Sequence, residues 1–317
     1  MSPRARFVAA LIGIVAVVPV AWFFFLSEPG GQPPIVVPNN PVVAAVDAAV
    51  APRAVEIHLG DVQGTVQIRR GLDGGWEDAK SGDVLNPSDG VRTTNGSYAV
   101  LVGEETWEVK MEPGTEVGIG ELKESITKLL LESGMAKATV KGGGRHTFEV
   151  RANNSDAVAV TDGGVFTIAS NGKGTVAVGA ESGEVSFAGG GRVVIVRAGQ
   201  QSIVRPGEAP TAPASIPTSL LLKVKLPSGV TPKSKVIVKG ETEPGALVEI
   251  QGRVIAVDAK GKFELPITLQ EGRNSLNVKA KSVGGRENSA SGNVELDTTV
   301  QKTTIDPNLW KTPAPKQ

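Results

Sequence analysis

HTFEVRANNSDAVAVTDGGVFTIA, residues 146–169, decides the fold. In its first part Phe148, Val150 and Ala152 alternate with Thr147, Glu149 and Arg151, and AVAVT (157–161) and VFTIA (165–169) repeat the alternation. A period of two sends successive side chains to opposite faces of an extended strand, so each piece predicts a strand with one apolar face. The interruption at Asp162 to Gly164 is turn chemistry, because an Asp-Gly or Asn-Gly pair supplies the positive φ that a tight hairpin requires. Asp156 reads as a turn residue in the same way.

The same grammar extends outward. VQGTVQIRR (Val62–Arg70), YAVLV (Tyr98–Val102), TWEVKM (Thr106–Met111), TVAVGA (Thr175–Ala180) and RVVIV (Arg192–Val196) all alternate, and Asp73 to Gly75, Asn95-Gly96 and Asn171-Gly172 mark turns between them. One segment has two readings. ELKESITKLLLES places Leu122, Ile126, Leu129 and Leu130 at helical spacing, yet Ile126 to Glu132 also reads as an inward-facing strand entering a Ser133-Gly134 turn, and its strand neighbours favour the latter. GGGRHTFEVRA from Gly142 and GGGRVVIVRAG from Gly189 share a glycine turn, an Arg and an apolar strand closing on Arg-Ala; an internal repeat and two ordinary hairpins both fit. Neither glycine run leads into Lys-Ser or Lys-Thr, so neither is read as a phosphate loop. With 39 glycines, 8 Phe and 1 Tyr, the composition is that of short strands joined by tight turns. The fold class is all-β, with the first β domain at 55–205.

Residues 206–219 form a Pro- and Ala-rich linker. Beyond it LLLKVKL, KVIVKGE, ALVEIQG, VIAVDA, KFELPITL, NSLNVKA and GNVELD give about seven strands over 220–298, a count and spacing that suit an immunoglobulin-like β-sandwich. The stretch VKGETEPGALVEIQGRVIAVDAKGKFELPITLQEGRNSLNVKAKSVGG, from Val238, resembles the Ig-like modules appended to bacterial envelope proteins. Its expected core is Val236, Val238, Val248, Ile250, Phe263, Leu265, Leu276 and Val278. Residues 299–317 are read as a flexible tail in which Trp310 is incidental or a docking aromatic.

At the other end FVAALIGIVAVVPVAWFFFL, residues 7–26, carries no charge and at ~1.5 Å per residue matches the ~30 Å hydrocarbon core of a bilayer. It runs straight into Trp22 to Leu26, with Pro19 and Ala21 as no more than a poor cleavage site, so it reads as an uncleaved transmembrane helix, cleavage there being the alternative. Arg4 and Arg6 before it and Glu28 after it set the N-terminus inside. Residues 1–6 are then a cytoplasmic stub, and 27–54 a Pro- and Ala-rich tether in which Val42 to Ala51 could instead form a helical turn or two. The expected location is the inner membrane, single-pass, with the bulk of the chain periplasmic.

Charge and chemistry exclude several classes. The 33 basic residues balance the 33 acidic ones, so no nucleic-acid partner is implied, and no cysteine is present for disulfides or thiolate metal sites. His58 and His146 sit in separate strand-like segments with no carboxylate cluster at metal spacing. Glu104 and Glu105 are adjacent, so on a strand they would point to opposite faces; they read as a hairpin turn, not as a glycosidase pair. No catalytic, metal or cofactor site is expected, no binding residue is singled out, and the chain is read as a non-enzyme.

GDVQGTVQIRR at Gly60, SGDVLNPSDGVRTTNGSYAVLV at Ser81, EPGTEVGIGEL at Glu112, LLLESGMAKATV at Leu129, FEVRANNSDAVAVTDGGVFTIA at Phe148, VAVGAESGEVSF at Val176 and VRAGQQSIVRPG at Val196 resemble, in that order, the periplasmic FecR domain. In the best-known members of that family the domain receives a signal from an outer-membrane TonB-dependent siderophore receptor, and a cytoplasmic N-terminal segment passes it to an extracytoplasmic-function sigma factor. Two departures stand out. The family's Arg-Gly-Thr before the late Phe is replaced by Thr161-Asp162-Gly163-Gly164-Val165-Phe166, and the six residues ahead of the span are too few for a sigma-binding domain, so direct sigma-factor control is not carried over. The resemblance implies a membrane-anchored envelope protein that binds a protein or cell-wall polysaccharide as a sensory or scaffold component. The alternative is a structural adhesin or peptidoglycan-associated module with no signalling role.

Overall fold

The computed structural model describes residues 56–103, 106–123, 125–143 and 146–299. Among them the chain is all-β, and no helix is long and apolar enough to cross a membrane. The stub 1–6, the span 7–26, the tether 27–54 and the tail from 300 onward, with Trp310, lie outside the described residues, as do Glu104 and Glu105.

Sixteen strands build the first sandwich. They are β1 (Ile57–Gln63), β2 (Val66–Arg69), β3 (Trp76–Asp78), β4 (Val84–Leu85), β5 (Gly90–Thr93), β6 (Tyr98–Gly103), β7 (Trp107–Met111), β8 (Glu116–Lys123), β9 (Ile126–Val140), β10 (Thr147–Ala152), β11 (Val158–Thr161), β12 (Gly164–Ser170), β13 (Val176–Gly189), β14 (Arg192–Arg197), β15 (Gln200–Val204) and β16 (Ala214–Ser215). One layer runs β4-β1-β6-β7-β9-β12-β13-β15-β16. The other runs β3-β2-β5-β8-β9-β10-β11-β13-β14. Inward residues of both layers join one apolar core, in which Trp107, Phe148 and Phe166 stack with ring centroids 5.2 and 6.2 Å apart. Gly103 lies opposite Trp107 because a Cβ there would stand 2.2 Å from the indole.

Two strands belong to both layers. The first half of β9 pairs with β8 and β10, the second with β7 and β12. Its buried set shifts from Thr127, Leu129 and Leu131 to Ala136, Ala138 and Val140 across Gly134, whose φ is +96°. In β13 the set shifts from Val176, Val178 and Ala180 to Val185 and Phe187 across Gly183, at φ +74°. A strand turning the corner needs a left-handed residue there, and only glycine adopts one without cost. The segment with two readings is therefore strand, but Ser133-Gly134 does not reverse the chain; it bends a continuous strand from one layer into the other.

Turn signals hold in position and differ in what they connect. Asp73 to Gly75 and Asn171-Gly172 close hairpins, β2 to β3 and β12 to β13. Asn95-Gly96 and Asp162 to Gly164 instead carry the chain between layers, from β5 to β6 and from β11 to β12, since neither pair of strands is hydrogen-bonded. Val62–Arg70 is likewise two strands in different layers, separated at Gly64. The resemblance between the segments at Gly142 and Gly189 does not extend to their place in the fold: β10 lies inside its layer, parallel to β9, while β14 is an edge strand returning from β13.

The second sandwich comprises β17 (Leu222–Lys225), β18 (Gly229–Thr231), β19 (Lys235–Thr242), β20 (Leu247–Ile250), β21 (Arg253–Ile255), β22 (Lys262–Thr268), β23 (Gly272–Lys281) and β24 (Glu287–Leu296). β17-β19-β22 faces β18-β24-β23-β20-β21. Val238, Val248, Ile250, Phe263, Leu276 and Val278 are buried in its core, with Val236 and Leu265 half-buried against it. Of VIAVDA only the start is strand; from Ala256 the backbone leaves the sheet, and it is used elsewhere.

Candidate functional site: the seam between the sandwiches

Part of the outer face of one layer of the first sandwich, across β9, β12, β13 and β15, is covered by the second sandwich. Met135, Ala169, Ala177 and Ile203 stand directly opposite one another on β9, β12, β13 and β15, forming a row across four strands. Val283 and Leu247 of the second sandwich pack on this row, and Met135, Ala169, Ala177 and Val283 are buried. The next row, Lys137, Thr167, Gly179 and Gln201, brings backbone against backbone: a Cβ on Gly179 would lie 2.7 Å from the Val283 carbonyl oxygen. Gly245 meets Ala177 in the same way, its Cβ falling 2.3 Å from the alanine methyl. Small residues at outward positions therefore serve close approach, not solvent.

Polar contacts ring this apolar strip. The Val254 N–H donates to Asn95 Oδ1 at 2.9 Å, Asn171 Nδ2 donates to the Val257 carbonyl at 3.0 Å, and Arg205 Nε donates to the Ala259 carbonyl at 3.1 Å. The first holds β21 itself, and the other two clasp the stretch that leaves the sheet after it. A cavity of about 240 Å³ lies beneath it, bounded by Asn95, Ser133, Met135, Asn171, Gly245 and Val257. On the far side Lys281 Nζ reaches Glu112 Oε1 at 2.8 Å and Glu287 at 3.5 Å, between two clefts of about 420 Å³ each. The side chains of Lys281 and Glu112 are 30% and 13% exposed, so this charge-assisted bond is sheltered from screening and falls in the range of about 1.5–3 kcal/mol. Burial at the seam pushes the Glu243 carboxyl above its ordinary value, against opposing hydrogen bonds from the Gln201 side chain and the Leu221 backbone.

The residues weighed for chemistry are dispersed. His58 is exposed on β1, and His146 is half-buried immediately before β10. Asp156 accepts the Gly190 N–H, tying its turn to the β13–β14 hairpin, and Asp162 is exposed in the crossing between layers. Among the described residues no group of three His, Cys, Asp or Glu could hold a metal ion. Sequence reading missed Asn95 and Asn171 as joint residues. Each stands before a glycine in a turn, and the turn role alone accounted for it; the available signal was that Asn carries a side-chain amide free to bond beyond its own turn.

No protein-family model matches the chain, and no curated protein matches it. Among solved structures it is similar to two crystal structures of a "putative anti-sigma factor" from Parabacteroides distasonis, at 19% and 18% identity, each with a TM-score of 0.36 over 40% of this chain. The chain spans 59% of the length of those structures. It is also similar to fibronectin(III)-like modules of CbhA from Clostridium thermocellum, at 13% identity and a TM-score of 0.21, over 57% of this chain and 93% of that one.

Proposed function

We propose that the chain is a FecR-like cell-envelope protein, anchored in the inner membrane by residues 7–26, whose two sandwiches stand in the periplasm and bind an envelope protein or cell-wall polysaccharide as a sensory or scaffold component. It works without a cofactor and without enzymatic activity. One observation carries the reading: the seam joins the sandwiches by a buried apolar row, four polar contacts and glycine-mediated backbone approach, an investment that suits a module presenting a fixed surface. The order of FecR-like motifs along residues 60–207 supports the compartment.

Crosslinking of intact envelopes followed by pull-down on a C-terminal tag tests it. Recovery of an envelope protein such as a receptor or secretion component is expected; recovery of murein alone would favour the structural adhesin. The tag is expected to stay with membranes through high-salt and carbonate washes, and its release would remove the anchor from the reading.

A further inference from the structure

The outer face of the other layer of the first sandwich carries a strip in which two strand glycines, Gly90 and Gly118, stand side by side. Register places Trp76, Arg69, Gly90, Gly118, Leu130 and Arg151 in one row across β3, β2, β5, β8, β9 and β10. A glycine inside a strand weakens it and marks a place where something approaches the backbone. Elsewhere in this chain that something is visible: Gly103 lies under Trp107, Gly179 under Val283 and Gly240 under Phe263. Gly118 is the exception. Among the described residues it is the one strand glycine outside the positive-φ set whose Cβ would meet nothing nearer than 3.7 Å, the distance to Leu130 Cβ.

The borders of this strip are polar, planar and partly unpartnered. Arg69 and Trp76 lean over Gly90, where a Cβ would lie 3.3 Å from Arg69 Nη2 and 3.4 Å from the indole. The Arg69 and Arg92 guanidiniums stand 5.2 and 4.2 Å from the Trp76 ring centroid, within cation–π range. Arg92 is held by two bonds to Gln67 Oε1, at 2.9 and 2.7 Å. Arg69 has no ion pair or hydrogen-bond acceptor among the described residues, and its Nε is buried. The cost of an unmade bond falls on the buried Nε alone, while the Nη groups of this half-buried side chain stay open to a ligand or to water. Glu116 lies opposite Arg92, its carboxyl pushed up by burial and by Glu132 against the pull of both arginines.

We propose that this trough binds a carboxylate-bearing glycan: the carboxylate takes the unused donors of Arg69, a sugar ring lies on Gly118 between Leu130 and Trp76, and Gln67, Arg92 and Glu116 hydrogen-bond its hydroxyls. β2 and β9 are three strand spacings apart, about 14 Å, room for one glycan chain once Arg69 leans inward. A peptide is the poorer fit, because extended peptides add to an unpaired sheet edge, whereas β5 and β8 are paired on both sides. The inference rests on the polysaccharide-binding half of the proposed function and names its ligand class; failure of the titration below leaves the envelope-protein half standing.

The test is calorimetric titration of the full chain in detergent with oligogalacturonate. The wild type is expected to bind, neutral dextran is not, and Arg69→Gln and Gly118→Val are each expected to weaken binding at least tenfold with unchanged circular dichroism. Should Gly118→Val fail to fold, Arg69→Gln decides. Absence of binding by the wild type, equal binding by Arg69→Gln, or equal affinity for dextran or poly-glutamate would overturn the proposal.

Discussion

The Val254 N–H and Asn95 Oδ1 meet at 2.9 Å across 159 residues of chain, joining a turn of the first sandwich to β21, at the head of the segment that leaves the sheet in the second. Asn171 grips the same segment at Val257. Asn95→Ala is expected to cost about 1 kcal/mol, the worth of one hydrogen bond, and Asn171→Ala more, because its Oδ1 also accepts from the Lys173 and Thr175 N–H groups. Amide exchange resolved by residue checks this: protection should fall at 254–259 and hold in the cores of both sandwiches.

Gly179→Val puts a branched side chain where 2.7 Å separates the Cβ position from a backbone carbonyl that cannot move aside. The expected penalty is about 2 kcal/mol or more at the seam. By calorimetry the wild type should melt in one transition and Gly179→Val in two. Gly118→Val, which has room, should leave the single transition intact.

Asp89 is 5% exposed and accepts from the Gly71 and Asn86 N–H groups and from Arg70 Nη1, at 2.9, 3.0 and 2.9 Å. Burial pushes its carboxyl up, but these donors outweigh it and hold the group below its ordinary value. A depressed folded pKa contributes stability that is present above the unfolded value, about 3.9, and lost as pH falls through the folded one. Asp89→Asn is expected to destabilise by about 2–3 kcal/mol at pH 7, and less at low pH, in denaturant melts taken across that range.

Glu243 runs the other way. Its folded pKa is raised, so its contribution is complete below the ordinary carboxylate value and falls away as pH rises through the folded one. Glu243→Gln should therefore raise the unfolding free energy at pH 7, by no more than about 1 kcal/mol, and make no difference near pH 4, in denaturant melts at the two pH values. A variant that is no more stable at pH 7 would show that the hydrogen bonds from Gln201 and Leu221 outweigh burial.

Much of this fold was legible in the sequence because alternation is a local property. Phe148, Val150, Leu276 and Val278 announce an inward face with no knowledge of their partners. Glycine after Asn or Asp likewise marks several changes of direction, though not the bends at Ser133-Gly134 and Ser182-Gly183. Whether that change closes a hairpin, as at Asn171-Gly172, or crosses between layers, as at Asn95-Gly96, depends on which strand lies beside the next one, and that is a non-local fact. The seam was hidden for a related reason. Ala177 and Gly179 occupy outward positions in TVAVGA, where small residues read as solvated, and only the covering sandwich reveals that their smallness is required.

β9 and β13, each lent to both layers of the first sandwich, leave that domain no separable half. Remove either and both walls lose a central member, so the domain must come together in a single concerted event. Its closure waits on partners far apart in the chain, such as Phe166 with Ala138 and Val176 with Val204, which places its assembly among the slow, millisecond-to-second processes typical of non-local β proteins. During synthesis the chain must stay unaggregated until the last of these strands has emerged.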